Sequence, residues 1–524
     1  MKLRTIVKIA ITSSVVLLCS GFALYSFFRL SAAEGQKDFN LYELVPSTTS
    51  AVFVTDDVLE FVAEVDELTC SKNQQYLYVS KLFSYLKQSL YALSEDTPHG
   101  LSRQMNQMLI SFHEPDNERN QVLYCRLGNG DKELVNRFVR KYISSLYPPK
   151  TFIYKGEEII IYPMADGDFL ACYLTSDFMA LSFQKKLIEN VIDAYKSGKS
   201  LADDSTFTGI RAPKKSAAAA TIYTRMQGMM GWTEFDMKMK DDFIYFSGIT
   251  HDADTCFAFI NQLRQQQSVK GFPGEVLPST AFYFSRQGIT DWVSLLSYGN
   301  AQGQSVPART SEVQNRDKEF SRYLMENAGQ DLVACLFQRE DTLQGAAAVL
   351  SLSVADVTEA ERMLRALVNA ASADEGRRNP RITFCYTVNK AYPIYRLPQT
   401  TLFEQLTSFA EPTLDVYAAF YGGRLLLAPD ADALAHYIRQ LDKGEVLNGA
   451  MAYQTGMDHL SDSYHFMLMA DFDHIFQQSE NHVRFVPDFF LRNADFFRHF
   501  TLFVQFACAD GVVYPNIVLK YKSE

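Results

Sequence analysis

Gly198-Lys199-Ser200 has the ending of a phosphate-binding loop, in which backbone amides and a lysine hold phosphate oxygens. That loop needs a glycine five positions before Gly198, where this chain has Asp193. It also needs a strand before it, and the pattern here is helical. The stretch is expected to be a helix C-terminus with Gly198 just past its end. Asp471-x-Asp473-His474, with His465 nearby, offers oxygen and imidazole ligands to a metal. On a strand, Asp471 and Asp473 would share a face. No fourth ligand is readable, and the matching region of the first half carries Thr224, Met226 and Gln227. A solvated strand end or a helix cap is therefore the expectation.

The remaining polar candidates are weaker. His436 lies within a helical run, and His459, His482 and His499 are scattered. Asp203-Asp204 and Glu157-Glu158 are adjacent acids whose side chains diverge, which suits exposed turns better than acid–base work. Trp292 is expected in the core. No nucleophile elbow, HExxH helix or dinucleotide fingerprint occurs. The sequence nominates no catalytic residue, no cofactor-binding residue, no cofactor and no metal ligand. Beyond Cys19 the cysteines are Cys70, Cys125, Cys172, Cys256, Cys335, Cys385 and Cys508. They have no zinc-like spacing and mostly sit in apolar strand-like runs, so buried thiols are expected.

The elements that must carry these residues repeat. Phe169–Phe207 and Asp415–Tyr453 both read as strand, turn, strand, amphipathic helix, glycine and extended tail. Leu181/Leu427, Ile192/Ile438, Gly198/Gly444, Leu201/Leu447 and Phe207/Tyr453 share one offset without a gap. Pro46-Ser47-Thr48 and Pro278-Ser279-Thr280 open the two halves alike, each leading into an alternating strand. A sustained offset of this kind predicts an internal duplication. Helices are further expected over 75–93 and 132–146, and a hairpin turning at Lys155-Gly156. Ala301–Arg316 and Ser372–Pro380 read as loops.

The expected fold is α+β: two tandem duplicated units, each a mostly antiparallel sheet covered by helices, after an N-terminal transmembrane helix. The expected boundaries are a cytoplasmic start at 1–8, an anchor or uncleaved signal at 9–29 and a linker at 30–43. A first unit at 44–268, a linker at 269–275 and a second unit at 276–524 follow.

Composition narrows the partners. The chain has 524 residues, 47% of them hydrophobic and 21% charged, which suits packed domains. Its net charge of −11 leaves no basic stripe for nucleic acid. Lys2, Arg4 and Lys8 precede an uncharged run from Ile9 to Phe28, long enough to cross a hydrocarbon core of roughly 30 Å. Cations before the run place the start in the cytoplasm and the body outside the inner membrane, periplasmic or extracytoplasmic.

These features resemble a family of exported bacterial proteins known only as a domain of unknown function. The match rests on the amino-terminal anchor, on Val45-Pro46-Ser47-Thr48 and on Ser197-Gly198-Lys199-Ser200-Leu201 leading to Asp203-Asp204 and Phe207. In the second half it departs at Lys443-Gly444-Glu445-Val446-Leu447. The resemblance implies export and supplies no catalytic residues. The leading expectation is a membrane-anchored, non-enzymatic binding or structural envelope module, partnered by the inner membrane through 9–29 and by an envelope protein or apolar ligand. The alternatives are a carrier or sensor of an apolar ligand in a cleft between lobes and, more weakly, a hydrolase with loop carboxylates.

Overall fold

The computed structural model describes residues 39–73, 107–114, 119–127, 147–163, 169–211, 218–225, 231–251, 258–293, 295–296, 310–339, 345–374, 382–388, 390–407, 413–478 and 486–522. The expected membrane span at 9–29, the helices over 75–93 and 132–146, Cys19, Cys256 and His482 lie outside them. Ala301–Arg316 and Ser372–Pro380 do so in part. Contacts divide the chain into two compact units, Met1–Cys256 and Phe257–Lys522.

The first unit contains β1 (Ala51–Thr55), β2 (Met108–Phe112), β3 (Gln121–Arg126), β4 (Lys150–Tyr154), β5 (Glu157–Pro163), β6 (Phe169–Leu174), β7 (Phe178–Ser182), β8 (Ala220–Thr224), β9 (Trp232–Lys240) and β10 (Phe243–His251). They pair antiparallel in the order β4-β5-β6-β7-β3-β2-β1-β8-β9-β10. The second unit begins with β11 (Val269–Lys270) and continues with β12 (Ala281–Gly288), β13 (Ala328–Gln338), β14 (Ala346–Val354), β15 (Ile382–Tyr386) and β16 (Ala391–Arg396). It ends with β17 (Tyr417–Tyr421), β18 (Arg424–Ala428), β19 (Ser463–Tyr464), β20 (Phe466–Asp471), β21 (Phe500–Ala509) and β22 (Val512–Tyr521). Its order is β15-β16-β17-β18-β14-β13-β12-β20-β21-β22, again antiparallel. β11 and β19 form a separate short ribbon.

The expectation of two separate sheets is corrected here. Hydrogen bonding counts the strands as one 20-stranded antiparallel sheet beside the two-stranded ribbon. Period-two alternation fixes which face a strand buries, but an edge strand keeps a row of unpaired amides and carbonyls. Where a ladder stops is thus not written in the alternation. Among the described residues, which do not include the expected span at 9–29, no helix is long and apolar enough to cross a membrane.

Local chemistry accounts for the elements. The β4–β5 hairpin turns on Lys155 and Gly156, both at positive φ, as a tight turn with the strands' own twist requires. Helix Val58–Glu67 starts at Asp57, whose carboxylate accepts the Glu60 amide at 2.9 Å. Helix Lys185–Ser197 buries Leu187, Ile188, Val191 and Ile192, each worth about 1.5–3 kcal/mol. It joins a core with Val54, Tyr124, Tyr173, Phe178, Phe207 and Trp232. In the second unit helix Ala431–Asp442 buries Leu434, Tyr437 and Ile438 and packs on β14, β17 and β18.

Candidate functional site

The sequence-nominated residues do not converge. Gly198 closes helix Lys185–Ser197 at φ +61°, and Ser200 donates to Asp203 at 2.6 Å and bridges to Pro46. Asp204 caps helix Ser205–Ile210 by accepting the Thr206 and Phe207 amides. Glu157 pairs with Lys196 at 2.8 Å. Asp471 and Asp473 share no strand face, because β20 ends at Asp471 and a helix begins at once. Asp471 caps that helix, takes Lys522 Nζ at 2.6 Å and has His474 Nδ1 at 3.4 Å. His465 instead accepts the Cys508 amide at 3.1 Å. His436 lies in helix Ala431–Asp442 and Trp292 is buried. Among the described residues no three His, Cys, Asp or Glu side chains are grouped to hold a metal. Cys70, Cys125, Cys172, Cys335 and Cys385 are buried.

A different constellation is assembled by the second unit. Asp331 on β13, Arg286 on β12 and Arg424 on β18 meet across neighbouring strands. Arg286 Nε donates to Asp331 Oδ2 at 3.1 Å. Arg424 Nη1 and Nη2 donate to Asp331 Oδ1 and Oδ2 at 3.3 and 3.2 Å, a forked pair. Arg424 Nε also donates to Ser351 Oγ at 2.6 Å, and its Nη2 to the Ser351 carbonyl at 2.9 Å. Arg286 Nη1 donates to the Gly271 carbonyl at 2.8 Å and to Tyr464 Oη at 3.3 Å, and Tyr464 donates to the same carbonyl at 2.8 Å. The three side chains are 15%, 9% and 13% exposed for Arg286, Asp331 and Arg424. Burial alone would raise the Asp331 carboxyl. Arg424, a bond from Ser353 and Arg286 outweigh it and hold the group below the usual carboxylate range.

Register shows what stands at these positions in the first unit. Leu181 faces Leu123 and Leu427 faces Leu350. Leu123 faces Ile110 and Leu350 faces Ala334, while Phe53 faces Ile110 and Ser285 faces Ala334. Stepping along those strands, Arg286 corresponds to Val54, Asp331 to Gln107, Ser351 to Tyr124 and Arg424 to Phe178. Val54, Tyr124 and Phe178 all belong to the apolar core of the first unit. Counting back from Pro46 and Pro278, Gly271 corresponds to Phe39, whose ring packs on Phe178 at 4.8 Å. The second unit thus puts two guanidiniums and a glycine where the first keeps Val54, Phe178 and Phe39, and a carboxylate where the first has the polar Gln107.

Sequence reading missed this set. Arg286, Asp331 and Arg424 are far apart in the chain and belong to no motif. The one available signal was comparison of the two halves at matched strand positions, where two arginines replace apolar residues. No family model, curated protein or solved structure matches the chain.

Proposed function

We propose that the chain is a non-enzymatic binding module of the bacterial envelope, with its amino-terminal apolar run as the membrane attachment and its two units on the outer side. One observation supports binding above the rest. The two units order their strands alike, and the second puts Arg286 and Arg424, joined by Asp331, where the first has the core residues Val54 and Phe178. Charge placed inside a framework that packs well without it costs stability, and such a cost is more often retained for recognition than for packing. The carboxylate in that set is held ionised between two arginines, so it is poorly suited to proton transfer. Lys2, Arg4 and Lys8 ahead of Ile9–Phe28 support export of the body.

The test is mild crosslinking of the full chain in native envelopes, followed by capture and identification of what is joined to it. The reading expects one recurrent partner, lost when Arg424 is replaced by Met. A hydrolase, transferase or nucleotidase activity of the pure chain, abolished by one point substitution that leaves it folded, would sink it.

A further inference from the structure

We infer that Arg286, Arg424, Gly271 and Tyr464 form a subsite for a carboxylate group of a ligand, a deepening of the binding reading that rests on it. Three observations carry the inference. First, two guanidiniums share a single internal carboxylate, which leaves one positive charge uncompensated in a largely buried place. Asp462 lies nearby but spends Oδ1 on the Gly271 amide at 3.1 Å, and it forms no ion pair with either arginine among the described residues. Second, donors remain. Arg286 uses Nε and Nη1 and makes no hydrogen bond through Nη2 among the described residues. Third, there is room. A Cβ built on Gly271 would meet no atom within 4 Å. In the first unit that position carries the Phe39 ring, tilted against Phe178 at 4.8 Å.

The group that fits is a carboxylate. Its single charge matches the single unmatched cation, and one of its oxygens can accept from Arg286 Nη2, the nitrogen that Asp331, the carbonyls and Tyr464 leave unused. A phosphate dianion would overcompensate. Tyr464 Oη has its proton on the Gly271 carbonyl and accepts from Arg286, so it holds that guanidinium in place and leaves the donation to a carboxylate to the arginine.

Acetate is the probe. It is titrated into the full chain at constant ionic strength against chloride, with inorganic phosphate as a parallel arm, and binding is read by calorimetry and by Tm. The expected result is a saturable acetate response in the wild type. It should be absent in Arg286→Met and weakened severalfold in Arg286→Lys. In Asp331→Asn, where no internal carboxylate competes, the midpoint should fall at least threefold. No saturable acetate response, an equal response in Arg286→Met, or tighter binding of phosphate than acetate would each overturn the assignment. If Arg286→Met does not fold, the other two variants decide, and unchanged midpoints in both refute it. Failure here leaves a crosslinked partner standing. Acetate binding with no partner captured refutes the envelope reading and keeps the subsite.

Discussion

Arg424 occupies in the second unit the register position that Phe178 occupies in the first. Phe178 is 1% exposed and packs against Phe39, Tyr173 and Tyr195. Arg424 instead reaches Asp331 and Ser351 with four hydrogen bonds. The same backbone frame supports an aromatic cluster in one unit and an ion network in the other. The network survives because each charge has an opposite or dipolar partner at short range.

The asymmetry of that network sets its response to substitution. Asp331→Ala leaves two guanidiniums close together without a counter-charge, and is expected to cost about 3–5 kcal/mol. Arg424→Met leaves Asp331 paired with Arg286 and is expected to cost clearly less. Urea unfolding of both variants measures the difference, and equal losses would contradict the network's geometry. The pH sign follows from the lowered Asp331 carboxyl. Its contribution is present above the unfolded-state value and is lost as pH falls through the folded one, so it disappears only in strong acid.

His113 gives a pH effect at milder acidity. It directly follows β2, with Nε2 3.0 Å from Ser111 Oγ, and Ser111 in turn pairs with Tyr124 Oη at 3.0 Å. Burial pushes the imidazole from 6.5 down to about 4. The unfolded chain then binds a proton that the folded chain refuses. Stability is full above pH 6.5 and declines as pH falls towards 4, by at most about 3 kcal/mol. His113→Gln should flatten that part of the stability curve, measured by chemical unfolding at a series of pH values. An unchanged slope would show that the decline arises elsewhere.

How much of this was legible in the chain depends on the kind of signal. The helix, glycine and tail shared by Phe169–Phe207 and Asp415–Tyr453 were readable, because periodicity and a constant offset are local properties. So was the hairpin turn at Lys155-Gly156, which has only local requirements. The joining of strands into one sheet was not, since edge pairing depends on backbone groups that every residue shares. The arginine network was not either. Arg286 and Arg424 sit in runs, AFYFSRQG and RLLLA, that read as ordinary strand ends. Only the register between strands shows that both point at Asp331. The cap role of Asp471 was foreseeable from residue type, and its bond to Lys522 was not, because that residue arrives from β22's far end.

A second buried acid has a structural role that can be tested separately. Asp317, on helix Ser311–Asn327, accepts from Thr400 Oγ1 at 2.7 Å, from the Thr401 amide at 2.9 Å and from Thr401 Oγ1 at 2.7 Å. It is 8% exposed and ties that helix to the start of helix Leu402–Leu406. Asp317→Ala strands those donors in a dry place, and a cost of about 2–4 kcal/mol is expected. Acetate binding should be unaffected, because Asp317 touches none of the arginines. A loss of acetate binding in a folded Asp317→Ala chain would mean that the two clusters are coupled.

The edge strand β15 predicts how the chain behaves at high concentration. β15 pairs with β16 on one side and with no other strand among the described residues. Phe384 is 54% exposed, Tyr386 70% and Val388 just beyond the strand 96%. No charged residue lies between Ile382 and Val388 to discourage a further strand from adding. The corresponding edge of the first unit, β4, is better guarded. Lys150 opens it, Lys155 follows it, and Lys185 Nζ lies 5.0 Å from the Phe152 ring centroid. Sedimentation velocity over a concentration series should therefore show self-association that Phe384→Lys or Tyr386→Lys reduces severalfold. Phe152→Lys should change it little, since a cation already covers that ring. If all three variants associate like the wild type, the exposed β15 edge is not what brings the chains together.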